Sequence, residues 1–366
     1  MAIRVLVVED SLTVRRHLCE VLAADPDMEV VAETGDGRDA IHLCETLRPD
    51  VVTMDMMLPV MTGLGATEYI MAHCPTPILV VSASTNRGEL FRTYEALAAG
   101  AVDVLEKPRG DEPEGVWERN FVWAIKLVAR IRVITHPRGR LGSFGRPRTL
   151  EPEPPPRAPA PRSSCQLVAI GASTGGPAAL VVLLRALKPE FHLPVLIVIH
   201  IAEAFAASLA EWLDGVTPRR VHYAREGDRL STLAGRVIIA PPGQHLTVRD
   251  GRLHLNSDPE RHFCRPSVDV LFESIAREVG PAATACLLTG MGRDGASGLR
   301  DIRRAGGFTI AQDEQSCVVY GMPREAVVLG AAERVLPLDE IGPTLMSIAL
   351  PRSTESAHER DDPHRR

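Results

Sequence analysis

Aromatic residues are scarce, at 4% of the 366-residue chain, so its cores must be built from Val, Ile, Leu and Ala. That composition suits parallel sheets covered by helices. The seven cysteines (19, 44, 74, 165, 264, 286 and 317) are scattered, odd in number and without a C-x-x-C pair. They read as reduced thiols, with no disulfide framework and no zinc site. No apolar run approaches the length of a membrane span. The apolar run at residues 3–8 follows the first residues at once and leaves no room for a signal peptide. The expectation is a cytoplasmic protein without membrane insertion. A net charge of −6 gives no support to a nucleic-acid partner. What is present is ordinary: 45% hydrophobic and 24% charged residues, in a chain long enough for two or three domains.

Short apolar runs at 5–8, 29–32, 51–54, 78–81 and 102–105 alternate with amphipathic stretches, and a last helix is expected near 116–134. Strands alternating with helices predict a parallel α/β sheet over residues 1–134. The stretch 135–164 is rich in Pro and Arg and poor in aliphatics, so it reads as an extended linker. Alternation restarts over 165–350, with strands expected at 167–170, 195–199, 236–240, 285–288 and 308–311. Residues 351–366 are charged, lack apolar periodicity and read as a disordered tail.

Within the second region, Gly171-Ala172-Ser173-Thr174-Gly175-Gly176 follows an apolar run. A buried strand that breaks into glycines around a serine fits a nucleophile elbow, G-x-S-x-G. A dinucleotide loop needs glycine where Ser173 stands, so that backbone can approach pyrophosphate. The plain alternative is a glycine-rich turn with a serine N-cap before Pro177. A serine nucleophile needs a base and an orienting acid. His200 ends the apolar run 195–199, and Asp294 lies in the glycine-rich loop Thr289-Gly290-Met291-Gly292-Arg293-Asp294-Gly295 after the run 285–288. Each has a plain alternative too, as a polar strand cap and a turn aspartate. The order Ser, His, Asp differs from that of α/β-hydrolases.

In the first region, Glu9, Asp10 and Asp55 end strands whose carboxyl ends line one crevice. Three converging carboxylates suit a hard divalent cation, most simply Mg²⁺. Ser82 and Lys107 end the fourth and fifth strands, where they suit a phosphoryl group carried by Asp55. Val7-Val8-Glu9-Asp10-Ser11, Met54-Asp55-Met56-Met57-Leu58-Pro59 with Gly63, Val81-Ser82-Ala83 and Glu106-Lys107-Pro108 resemble the receiver domain of two-component response regulators. The resemblance implies a flavodoxin-like five-stranded parallel fold. It also implies Asp55 phosphorylated by a histidine kinase, Mg²⁺ held by Glu9, Asp10, Asp55 and the Met57 carbonyl, and phosphate sensing by Ser82 and Lys107. Val104 stands where receivers usually carry an aromatic switch residue, and Thr62 replaces the usual aspartate before Gly63.

The second region resembles the catalytic domain of chemotaxis protein-glutamate methylesterases. The segments that carry this are 169–177, 198–201, 239–246, 265–272, 289–296 and 311–323. The resemblance implies a doubly wound, mostly parallel Rossmann-like sheet. By it Ser173 is the nucleophile, His200 the base and Asp294 its partner, with the N–H groups of Met291 and Thr174 as oxyanion donors. Ile201-Ala202-Glu203 departs from the family's usual residues after the histidine. The implied reaction is demethylation of γ-glutamyl methyl esters on a chemoreceptor's cytoplasmic domain, with glutamine deamidation by the same acyl chemistry and no cofactor for ester hydrolysis. A DNA-binding output would instead need a helix-turn-helix and a basic face. A nucleotide-binding module would need an acidic ribose ligand where His200 stands.

Overall fold

The computed structural model describes residues 2–83, 86–108, 113, 115–131, 133 and 165–349. The linker read at 135–164 and the tail at 351–366 lie outside the described residues. The N-terminal half alternates β1 (Ile3–Val8), α1 (Leu12–Ala23), β2 (Met28–Thr34), α2 (Gly37–Leu47), β3 (Val51–Met54), α3 (Gly63–His73), β4 (Ile78–Ser82), α4 (Arg87–Ala98), β5 (Asp103–Glu106) and α5 (Val116–Val128). Its strands form one parallel sheet in the order β2-β1-β3-β4-β5. The central strands are fully buried aliphatic runs, as expected for a sheet covered on both faces.

The C-terminal half contains β6 (Leu167–Ala172), α6 (Gly176–Ala186), β7 (Val195–Ile199), α7 (Glu203–Ala206), α8 (Leu209–Val216), β8 (Val221–Tyr223) and β9 (Val237–Ile239). It continues with β10 (His245–Arg249), β11 (Arg252–Asn256), α9 (Val268–Glu278), β12 (Ala283–Leu287), α10 (Ala296–Arg304), β13 (Phe308–Gln312), α11 (Met322–Val328), β14 (Arg334–Leu336) and α12 (Leu338–Ala349). Seven strands form a parallel sheet in the order β14-β13-β12-β6-β7-β9-β8, and β10 and β11 pair as a separate antiparallel ribbon. The chain leaves β6 toward β7 on one side and reaches β12 on the other. β6 therefore marks the topological switch point, where ligands bind in open α/β sheets. The pattern of apolar runs gave no strand for β8, β10, β11 or β14. The first and last are three-residue edge strands, and the ribbon residues alternate only partly between buried and exposed.

The two halves share a packed face. α4 of the N-terminal domain lies against α6 and α8, and one buried cluster contains Tyr94, Leu97 and Val104 together with Val181, Phe205 and Trp212. The Tyr94 ring sits 5.2 Å from Trp212 and its hydroxyl donates to the Phe205 carbonyl. Arg87 pairs with Glu211 at the rim. At the other end of this face the Thr174 hydroxyl donates to Asp103 Oδ2 at 3.1 Å. Burial pushes the Asp103 carboxyl above its ordinary range, and the bonds from Val104 and Thr174 oppose that rise.

Truncating a buried aromatic costs about 3–5 kcal/mol in a packed core. Tyr94→Ala should therefore loosen the face between the halves while both sheets persist. In hydrogen exchange, amides of α4 and α8 should lose protection and those of β1, β6 and β12 should keep it. Uniform protection across α4 would show that this face contributes little.

Candidate active site

β6, β7 and β12 deliver the three residues singled out in the C-terminal half. Ala172 of β6 pairs with Ile199 of β7, so Ser173 and His200 follow at neighbouring strand ends, and the His200 N–H donates to the Ala172 carbonyl at 3.0 Å. β12 pairs with β6 on the other side, and the loop after it carries Asp294. Close approach fixes the glycines. A Cβ on Gly290 would lie 2.7 Å from Ser173 Cβ and 2.5 Å from Met322 Sδ. Gly175 caps α6 at φ +77°, in the left-handed region.

His200 Nε2 lies 2.9 Å from Asp294 Oδ2. Asp294, 2% exposed, also accepts from the Ser267 hydroxyl at 2.7 Å, the Val268 N–H at 2.7 Å and the Asp269 N–H at 3.0 Å. The carboxylate thus sits on the N-terminus of α9, where unpaired N–H groups and the helix dipole favour a negative charge. Burial works to raise its pKa, yet the bond to His200 and these donors hold it below the ordinary range. For His200, burial disfavours the charged form, but the bonds to Asp294 and Cys264 prevail and raise its pKa to about 9.

With Nε2 committed to Asp294, the nitrogen left for a nucleophile is Nδ1. Cys264 Sγ stands 3.8 Å from it. Among the described residues the Ser173 hydroxyl makes no hydrogen bond, so the serine and the imidazole share a sheet edge without a formed contact. Catalytic hydrogen bonds commonly tighten only when substrate is bound. The N–H groups of Met291 and Thr174 donate to no acceptor among the described residues, which leaves them available to an oxyanion. His200, Cys264, Met291 and Asp294 line a cavity of about 510 Å³.

Three contributors escaped the sequence reading as individual roles. Ser267 both caps α9 and binds Asp294. Asp269 joins α9 to the Gly298 N–H at the start of α10, at 2.7 Å. Thr289 accepts the Ser173 N–H at its carbonyl at 3.0 Å, while its hydroxyl donates to the Thr174 carbonyl at 3.0 Å, so it braces both residues of the turn. Thr289 opens the glycine-rich segment 289–296, but only the fold reveals that it faces Ser173.

In the N-terminal domain, Lys107 Nζ lies 2.9 Å from Glu9 Oε2 and 3.1 Å from Asp55 Oδ2. Burial, then the neighbouring Asp55 charge, raise the Glu9 pKa to about 7. Burial likewise raises Asp55 against the pull of Lys107. For Lys107, burial is overcome by the two carboxylates, which keep its pKa above the ordinary value. Carboxylate oxygens of Glu9, Asp10 and Asp55 lie within 4.8 Å of one another, and Asp55 Oδ1 is buried without a hydrogen-bond partner. An orphaned oxygen in a cluster of hard donors fits a divalent cation. The Ser82 hydroxyl donates to Glu89 Oε1 of α4 at 2.7 Å and accepts from Thr93 at 3.4 Å.

Residues 168–345 match the family described as CheB methylesterase, and residues 5–113 match the response regulator receiver domain. A protein-glutamate methylesterase/protein-glutamine glutaminase of Anaeromyxobacter dehalogenans is 46% identical over 93% of this chain and 95% of its own length. A namesake from Geobacter metallireducens is 44% identical over 95% of this chain and 99% of its own length. The crystal structure of the Thermotoga maritima CheB methylesterase catalytic domain is 34% identical, covering 51% of this chain and all of that one, with a TM-score of 0.48. With the Anaeromyxobacter and Geobacter relatives aligned along nearly its whole length, the chain belongs to the receiver-linked protein-glutamate methylesterase/protein-glutamine glutaminase family.

Proposed function

We propose that the chain is a phosphorylation-regulated hydrolase of chemosensory adaptation. It removes methyl groups from γ-glutamyl esters on the cytoplasmic helices of a chemoreceptor and deamidates glutamines there. The observation that carries this reading is the His200–Asp294 pair at the end of the strand beside Ser173. Ser173 Oγ attacks the ester carbonyl as His200 Nδ1 takes its proton. The N–H groups of Met291 and Thr174 receive the developing oxyanion, a contribution of about two to three orders of magnitude per donor. The imidazolium gives that proton to the departing methoxide oxygen, which leaves as methanol. Water, deprotonated in the same way, then frees glutamate and the serine. A glutamine amide follows the same route with ammonia leaving. Ester hydrolysis proceeds on these protein groups without a cofactor.

Control enters through Asp55, phosphorylated by a histidine kinase. Mg²⁺ would be held by Glu9, Asp10, Asp55 and the Met57 carbonyl, where it neutralises phosphoryl charge. Lys107 and Ser82 are the phosphate-sensing groups. Ser82 now bonds Glu89 on α4, the helix whose Tyr94 docks on the catalytic domain. A phosphoryl group that draws the Ser82 hydroxyl away from Glu89 therefore acts on the docked helix directly. Asp103, bonded to Thr174 beside the nucleophile, ties the receiver to the site. The domain limits taken here are 1–134 for the receiver and 165–350 for the esterase. In the described residues no helix is long and apolar enough to cross a membrane.

Two measurements test this reading. A general base must be neutral to accept a proton, and the His200 pKa lies at about 9. The value of kcat/KM should therefore keep rising with pH toward 9, well beyond the ordinary imidazole range. Asp294→Asn removes the carboxylate, so it should move that limb to lower pH and reduce the maximal rate by about 10⁴. A limb that stays in place would separate Asp294 from the base.

Asp55→Asn should reduce the ratio of rates with and without a small acyl phosphate and Mg²⁺ to one. A preserved ratio would mean that phosphate acts elsewhere.

A further inference from the structure

The chemistry above leaves unused a tight hairpin, residues 261–264, at the rim of the cavity that His200 and Asp294 line. Two backbone bonds close it, Arg261 N–H to the Cys264 carbonyl at 3.1 Å and Cys264 N–H to the Arg261 carbonyl at 2.9 Å. Both central residues are left-handed, His262 at φ +54° and Phe263 at φ +61°. This is the backbone of a two-residue type I′ turn, which Asn-Gly or Gly-Gly adopts without strain. A bulky residue in that region is strained, and glycine would relieve it.

Side chains pin the turn to the catalytic scaffold. Arg261 pairs with Glu273 of α9 at 2.6 Å, and His262 Nε2 lies 3.1 Å from Asp269. Cys264 faces His200. At the tip of this anchored turn Phe263 is 97% exposed, the most exposed large hydrophobic side chain among the described residues. It lines the same cavity as His200, Met291 and Asp294. Strain stored at the edge of a functional cavity, here at an exposed ring beside His200, points to a functional role for that ring. The site beside it admits one class of partner, the segment that carries the scissile ester.

We propose that Phe263 is a specificity-determining residue: its ring packs against an apolar side chain flanking the modified glutamate on the substrate helix. On a helix, residues three or four positions apart are surface neighbours. An apolar side chain one turn from the glutamyl ester would thus meet the ring while the ester reaches Ser173. This rests on the esterase reading above and names the feature of the substrate that the site selects.

Rates of methanol release from methylated receptor membranes test it, using full-length wild type, Phe263→Ala, Phe263→Gly and Phe263→Leu. Removing the ring should raise KM about tenfold with kcat little changed, and Leu should restore much of the loss. Glycine separates the two roles of the residue. It should match or exceed the wild-type thermal midpoint by relieving the turn, yet show the same raised KM as alanine. A folded glycine variant with kcat/KM within twofold of wild type would overturn the proposal. So would a fall in kcat at unchanged KM, which would place the effect on His200. Absence of methanol release by the wild type would instead sink the esterase reading.

Discussion

The catalytic half is organised around one buried carboxylate. Asp294 binds His200, the Ser267 hydroxyl and two N–H groups at the start of α9, and it has almost no contact with solvent. An unpaired charge in that position would be strongly destabilising. The four partners make it tolerable, and in return they are fixed relative to one another. The same contacts that hold α9 against the sheet therefore aim the imidazole. In the proposed mechanism catalysis and packing cannot be varied separately, because both pass through the same two oxygens.

On the other side of the sheet end, at Ser173, the constraint is steric. Gly290 leaves no room for a Cβ against Ser173, and Thr289 braces the turn from the neighbouring loop. The hydroxyl of the next residue, Thr174, belongs to the domain interface. The proposed nucleophile and the domain interface are thus adjacent residues, so a shift of β5 would reach the proposed site without a long relay. The interface joins an apolar centre at Tyr94 and Trp212 to polar contacts at its edges. Such a face can be biased by a phosphoryl group that interacts differently with the docked and released states.

Much of this arrangement was legible in the sequence. Buried parallel strands announce themselves as short aliphatic runs, so the five receiver strands and the catalytic strands β6, β7, β9, β12 and β13 could be read directly. Ser173, His200 and Asp294 each follow such a run, which places them at one sheet edge. What stayed hidden depends on contacts between distant segments. Ser267, Asp269 and Thr289 stand in recognisable motifs, yet their partners lie 25 or more residues away or across the sheet. The short edge strands β8 and β14 carry too few residues to form a pattern. The strain at Phe263 is invisible because a phenylalanine does not signal a left-handed turn. The domain interface is hidden for a similar reason: Tyr94 and Trp212 look like ordinary helix core residues until the two halves are seen together.

The central claim is that His200 and Asp294 activate Ser173 at a site the receiver restrains. A fluorophosphonate, which reacts with an activated serine, tests both parts on the full-length chain by mass spectrometry. A single adduct should form on Ser173, be lost in His200→Ala, and form faster when a small acyl phosphate and Mg²⁺ are present. An adduct on Cys264 in place of Ser173, or labelling of Ser173 that is indifferent to His200, would contradict the account.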